Sequence, residues 1–234
     1  DEDEVINALA GNDTVFGEGG DDIIDGGLGR DVLYGGLGDD ALTGGSGRTS
    51  DYLDGGSGAD ALDGGNGSDW AYYLSGSAGV TANLGDASLN TGDATGDSYI
   101  SIENLLGSNY GDSLTGDSGK NTIRGMRGDD VIYGGTGNDT IYGGEGNDRL
   151  FGRGGSDELY GEAGDDELNG ASVADYLDGS DGADTINGVG GADSNGILAD
   201  YKQIKIVFLK NFITSCKDEC ICNRCSWVYL YCLQ

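Results

Sequence analysis

The sequence predicts an all-β protein that folds as a parallel β-roll, a right-handed β-helix solenoid, and three observations lead to that prediction. The first is a nine-residue period that runs through most of the 234 residues. The second is the presence of 48 glycines and no proline, which suits closely spaced turns but neither a collagen helix nor a helical bundle. The third is one aliphatic residue per repeat, which would line a narrow core.

The repeat has the pattern GGxGxDxUx, in which U is aliphatic, and adjacent copies occupy residues 26–34 and 35–43. Its sixth position is almost always aspartate, with Asn121 as an exception in the second of two arrays. The first array holds Asp13, Asp22, Asp31, Asp40, Asp51, Asp60 and Asp69, and the second holds Asp112, Asp130, Asp139, Asp148, Asp157, Asp166, Asp175 and Asp184, with Asp193 in a last, degenerate copy.

Each repeat predicts a short strand followed by a turn. Because side chains alternate along a strand, the aliphatic eighth residue would face inward and its two neighbours outward. The glycines suit a loop that needs positive φ and close approach of backbones. Two repeats then complete one turn of a flattened coil, so position-six carboxylates one turn apart, such as those of Asp130 and Asp148, would lie side by side at an edge.

The charge of the chain limits its possible partners. There are 42 acidic residues against 12 basic ones and no histidine, which gives a formal net charge of −30. Such a chain repels itself when compact unless a multivalent cation neutralises it. Nucleic acid is excluded as a partner because phosphate binding requires a basic surface, and an anionic membrane would also repel the chain. No apolar run is long enough to predict a membrane span.

The repeat resembles the RTX, or haemolysin-type, calcium-binding repeat over residues 8–72 and 107–195, most closely at residues 134–142 and 143–151. The resemblance implies that several Ca²⁺ ions bind between the loops of successive turns, on both edges of the roll. The position-six aspartates named above, from Asp13 to Asp184, are the expected ligands. Carboxylates and loop carbonyls are the oxygen donors that Ca²⁺ prefers.

The resemblance also implies a function. We expect a chain that is disordered without calcium and folds on binding it outside the cell, as the secretion, folding and stabilising module of a larger protein exported by type I secretion. The absence of a starting methionine and of a signal-like segment at Asp1 leads us to expect a fragment of that larger protein. The module is expected to be a monomer and not an enzyme.

Two alternative functions remain open at this point. The chain could be the C-terminal module of a secreted enzyme or toxin, such as a protease, lipase, alginate epimerase or haemolysin, although its own sequence has no histidine and no nucleophile-elbow motif. It could instead be an adhesin repeat module. An ice-binding adhesin would need ranks of threonine and asparagine, whereas only Thr136 and Asn138 match within one repeat.

We expect four segments along the chain. Residues 1–72 form the first array, 73–106 are linker strands that continue the coil, with strands at 80–84 and 99–105, and 107–196 form the second array. The tail, residues 197–234, carries a charge of +2 and all five cysteines, so we expect either a shifted reading frame or a cap on the coil. The spacing of Cys216, Cys220, Cys222 and Cys225 is not one typical of zinc sites.

Several copies of the repeat are expected to bind calcium less well than the others. Asn121 lacks a charge, and Tyr110 and Val173 replace the glycine at position four. The insertion at residues 48–50 lengthens one further loop.

Overall fold

The computed structural model describes residues 2–188 and two further short strands. The strands of this part are β1 (Val5–Asn7), β2 (Thr14–Gly19), β3 (Ile23–Gly27), β4 (Val32–Leu37), β5 (Ala41–Gly45), β6 (Tyr52–Ser57), β7 (Ala61–Gly65), β8 (Trp70–Tyr72), β9 (Thr81–Asn83), β10 (Ser98–Ile100), β11 (Asn104–Leu106), β12 (Ser113–Thr115), β13 (Thr122–Arg127), β14 (Val131–Thr136), β15 (Thr140–Glu145), β16 (Arg149–Gly154), β17 (Glu158–Ala163), β18 (Glu167–Asn169), β19 (Tyr176–Asp178), β20 (Thr185–Asn187), β21 (Ser194–Asn195) and β22 (Lys205–Ile206). Two 3₁₀ turns occupy Ala87–Leu89 and Gly92–Ala94.

The strands stack in parallel into a solenoid of about ten turns, which confirms the predicted all-β fold as a parallel β-roll. One face is a ten-stranded sheet in the order β2-β4-β6-β8-β11-β13-β15-β17-β19-β21. The other face consists of a five-stranded sheet, β1-β3-β5-β7-β10, and a seven-stranded sheet, β9-β12-β14-β16-β18-β20-β22. Successive strands of a face pair in register one turn apart, as Ile132 does with Leu150.

The core is a double row of aliphatic side chains between the two faces. One residue per strand points inward, as the alternation of a strand requires, and its neighbours on either side are more exposed. The inward residues are at most 2 % exposed, and they are Ile24, Leu33, Leu42, Leu53, Leu62, Ala71, Ala82, Leu105, Leu114, Ile123, Ile132, Ile141, Leu150, Leu159, Leu168, Leu177 and Ile186.

Residues 73–106 join the two arrays differently on the two faces. The ten-stranded sheet continues through β8, β11 and β13 without a gap, whereas on the opposite face β10 pairs with β7 and β9 pairs with β12. The single strand expected over residues 99–105 is wrong, because Ser101 has a φ of +50° and separates β10 from β11. The two short strands therefore contribute to opposite faces of the coil.

The boundaries of the four expected segments stay a prediction. The tail at 197–234, including its cysteines, lies outside the described residues except for β22, and so does Asp193. None of the helices in the described part of the chain has the length and apolarity that crossing a bilayer requires.

Candidate metal centre

The position-six residues form two columns, one along each edge of the roll. One column contains Asp13, Asp31, Asp51, Asp69, Asn121, Asp139, Asp157 and Asp175, and the other contains Asp22, Asp40, Asp60, Asp112, Asp130, Asp148, Asp166 and Asp184. Apart from the partly buried Asp13, these aspartates are at most 4 % exposed. The structure thus brings each aspartate predicted from the sequence next to its counterpart one turn away.

Each carboxylate in a column after Asp13 is held through one oxygen by the backbone of the preceding turn. The N–H of Asp130 donates to Oδ1 of Asp148 at 2.8 Å, and the N–H of Asp148 donates to Oδ1 of Asp166 at 2.7 Å. The same bond recurs along both columns at intervals of 18 residues, or 20 where a loop is longer. These bonds fix the orientation of the carboxylates through Oδ1 and do not involve the second oxygen, Oδ2.

The second oxygen is buried and lacks a hydrogen-bond donor at most positions. A buried polar atom without a partner costs about 1 to 3 kcal/mol, and a charged one costs more, so a native structure rarely tolerates many of them. The same buried oxygen recurs at position six of most repeats, which indicates a place for a cation. The Oδ2 atoms concerned belong to Asp13, Asp22, Asp31, Asp40, Asp51, Asp60, Asp69, Asp130, Asp139, Asp148, Asp157, Asp166 and Asp184.

Backbone carbonyls converge on the same places as these free oxygens. A Cβ atom placed on Gly143 would lie 2.2 Å from Oδ2 of Asp148 and 2.7 Å from the carbonyl oxygen of Gly161, one turn further on. Glycine is needed at the first position of the repeat because a side chain would fill this oxygen-lined space. Since Ca²⁺ takes six to eight oxygen ligands at about 2.3 to 2.6 Å, the donors present fit a hard cation.

Acidic side chains alone do not make up a full set of metal ligands at the edges. Among residues 2–188, no position gathers three or more Asp, Glu, Cys or His side chains. If an ion binds there, the position-six carboxylates would supply the charge, and carbonyl groups of the glycine loops would supply most of the remaining ligands, together with water.

Burial raises the pKa of several edge carboxyls, among them those of Asp60, Asp130 and Asp166. Desolvation is the main cause, and the negative charge of neighbouring carboxylates adds to it, whereas the backbone hydrogen bond from the preceding turn lowers the pKa. The pKa of Asp130 rises to about 8 and those of Asp60 and Asp166 rise to about 7, from an ordinary 3.8. At neutral pH the charged form of these groups is therefore unstable in the folded chain unless a cation compensates for it.

Two positions of the columns differ from the rest. The backbone N–H of Ser108 donates to Oδ2 of Asp112 at 2.7 Å, and the Ser108 hydroxyl donates to Oδ1 at 2.8 Å. Asn121 accepts the N–H of Asp117 and donates through Nδ2 to the carbonyl of Glu103 at 2.7 Å. Protein donors satisfy both side chains, so neither presents a free anionic oxygen to an ion.

Glu103 continues one column through the linker, and Asp97 extends the first-array part of the other column by one turn, although neither was predicted from the sequence. The N–H of Asp60 donates to Oδ1 of Asp97 at 3.0 Å, and that of Asp69 donates to Oε2 of Glu103 at 2.9 Å. The nine-residue period is interrupted in the linker, so it did not identify either residue. A search for an acidic residue two places before an inward-facing side chain would have found them, because Asp97 precedes Tyr99 and Glu103 precedes Leu105 by two places.

A comparison with protein families agrees with this geometry. The family model of the RTX calcium-binding nonapeptide repeat (4 copies) matches residues 1–33, 24–49, 34–71, 47–79, 106–141, 142–177 and 160–194. These matches together cover well over half of the chain, and no curated protein matches it at a significant level. The chain binds several Ca²⁺ ions as a β-roll module, and it belongs to the family of RTX calcium-binding repeat proteins.

Proposed function

We propose that the β-roll folds when calcium binds along both edges, and that it acts outside the cell as the folding and secretion module of a larger protein. The observation that carries the proposal is the repeated buried Oδ2 atom without a donor, in two columns of carboxylates. A chain with a net charge of −30 and so many uncompensated buried oxygens is unstable as it stands. Calcium supplies both the ligand bonds and the missing positive charge.

The aspartates with a free Oδ2 are the proposed ligands, and the copies that contain Asp112 and Asn121 are proposed to bind weakly or not at all. In those two copies, the protein's own donors replace the ion. The roll therefore has a stretch near the linker that is held by hydrogen bonds, between two stretches that depend on calcium.

The proposed location follows from the calcium concentration that such sites require. Extracellular calcium modules have dissociation constants of roughly 10⁻⁴ to 10⁻³ M, far above the free calcium concentration of a cytoplasm. A chain of this kind would stay unfolded during export and would fold where calcium is abundant. Because the family is a structural calcium-binding module, an enzymatic or toxic activity of the parent protein would reside in other segments.

A calcium titration followed by far-UV circular dichroism tests the proposed function. We expect a cooperative gain of β-sheet signal at roughly 10⁻⁴ to 10⁻³ M calcium and little gain with magnesium, which prefers rigid octahedral sites. A chain that shows its full β-sheet signal in excess chelator would contradict the proposal.

A further inference from the structure

The linker covers one side chain that would otherwise point into solvent from the ten-stranded sheet. Asp54 is the ninth residue of its repeat, a position that faces outward, yet it is only 3 % exposed. The hydroxyl of Ser75, which lies in the linker, donates to Oδ1 of Asp54 at 3.0 Å. The linker thus packs onto the outer surface of β6 at this residue.

The carboxylate of Asp54 has a free oxygen like those of the edges. Its Oδ2 atom is buried and has no hydrogen-bond donor. The side chain lines a cavity of about 310 Å³ together with Ser75, Ser77 and Asp93 of the linker and with Glu18 and Leu37 of the ten-stranded sheet. Asp93 is the charged residue that the linker adds to this cavity. Its carboxylate therefore lines the same cavity as the unpaired oxygen of Asp54.

Further oxygens of the linker lie next to Asp93. A Cβ atom placed on Gly76 would be 2.9 Å from Oδ2 of Asp93, 3.1 Å from the carbonyl oxygen of Tyr73 and 3.5 Å from that of Ala78. The linker therefore arranges one carboxylate and two carbonyls around a residue that has no side chain. The polar side chains on this cavity offer oxygen donors, from the carboxylates of Asp54, Asp93 and Glu18 and from hydroxyl groups, and such donors suit Ca²⁺ and not a softer metal.

We propose that Asp54 and Asp93 bind a calcium ion outside the repeat loops, and that this ion fastens the linker to the ten-stranded sheet. Oδ2 of Asp54 and the carboxylate of Asp93 supply the two charged ligands, and hydroxyl groups and water complete the shell. The site does not use the nonapeptide pattern, so it does not rest on the function proposed for the edges.

Anomalous diffraction from crystals of the whole chain grown with calcium tests the proposal. We expect an anomalous peak between Asp54 and Asp93, separate from any peaks along the two edges. Edge peaks without a peak at Asp54 would overturn this site and leave the proposed function intact. A peak at Asp54 without edge peaks would support this site and overturn the proposed function.

The substitution Asp54→Asn provides the matched solution test. Asparagine keeps the size of the side chain and the acceptor for Ser75 but removes the charge, so the peak should vanish. Amide exchange in residues 75–93 should become faster by about tenfold in calcium, the loss expected for one site at tenfold excess of ion. A peak retained in this variant, or unchanged exchange, would overturn the proposal.

Asp178→Asn is the control for that experiment. Asp178 also ends a strand of the ten-stranded sheet and is 8 % exposed, but its Oδ1 accepts the N–H of Ser180 and its Oδ2 accepts the hydroxyl of Tyr176. With no free oxygen, it should tolerate the substitution without a change in the peak at Asp54 or in the exchange of residues 75–93. An equal effect of both substitutions would contradict a specific role of Asp54.

Discussion

In calcium-free buffer, lowering the pH from about 8 to about 5 is expected to increase the β-sheet content of the chain, because protons can replace calcium at the edge carboxyls. The folded state raises the pKa of Asp130 to about 8, those of Asp60 and Asp166 to about 7, and those of Asp139 and Asp148 to about 6. In the unfolded chain the same groups titrate near the ordinary 3.8. The folded chain therefore binds more protons between these pH values.

The sign of this effect is opposite to that of a carboxylate in a salt bridge. Because the folded pKa is the higher one, the contribution to stability is fully present below about pH 4 and is lost as the pH rises through about 6 to 8. Far-UV circular dichroism in metal-depleted buffer measures the effect, and light scattering must accompany it because the pI is near 4.1. A β-sheet signal that falls on acidification in a monodisperse sample would contradict the prediction. With calcium present, the same acidification should release the ions.

Replacing two carboxylates of one column should lower stability strongly in calcium. In the double variant Asp148→Asn with Asp166→Asn, two free Oδ2 atoms lose their charge while the bonds to the preceding turn keep an oxygen acceptor. At tenfold excess of calcium each lost site costs about 1.4 kcal/mol, so two cost about 3 kcal/mol. For a chain of this size, the melting temperature should fall by about 6 to 12 °C.

The matched control removes the same charge from the neighbouring position five. Asp129→Asn with Asp165→Asn changes two exposed aspartates whose Oδ1 atoms accept the N–H groups of Asn147 and Ala183. The bonds survive in asparagine, and the net charge changes as much as in the column variant. We expect the melting temperature in calcium to stay within about 2 °C of the parent chain, or to rise, because self-repulsion falls. Equal losses in the two variants would show that overall charge, and not the column, matters.

The nonapeptide period predicted most of the fold because each position of the repeat has one physical role. The eighth residue is apolar and buried at Leu150 as at Leu33, and the first glycine occupies a place that leaves no room for a side chain at Gly143 as at Gly17. Because two repeats make one turn, alternate repeats place their position-six residues on the same edge, which gives the two columns. A sequence with so regular a pattern leaves few other ways to bury its aliphatic residues.

What the period could not predict depends on contacts between residues of unrelated spacing. Asp112 looks like every other position-six aspartate in the sequence, yet Ser108 satisfies both of its oxygens. Asp54 looks like a solvated outward residue until the linker folds over it. Ser101 breaks a strand through its backbone angle, which the residue type does not encode, since serine rarely adopts positive φ.

Small-angle X-ray scattering with and without calcium tests most directly whether ions make this acidic chain compact. A compact chain of 234 residues has a radius of gyration of about 17 Å, and an unfolded one has about 53 Å. In millimolar calcium we expect a value near the lower figure, somewhat raised by the elongated shape of the roll, and after addition of excess chelator a value near the upper one. A radius that stays small after all calcium has been removed at neutral pH would contradict the account.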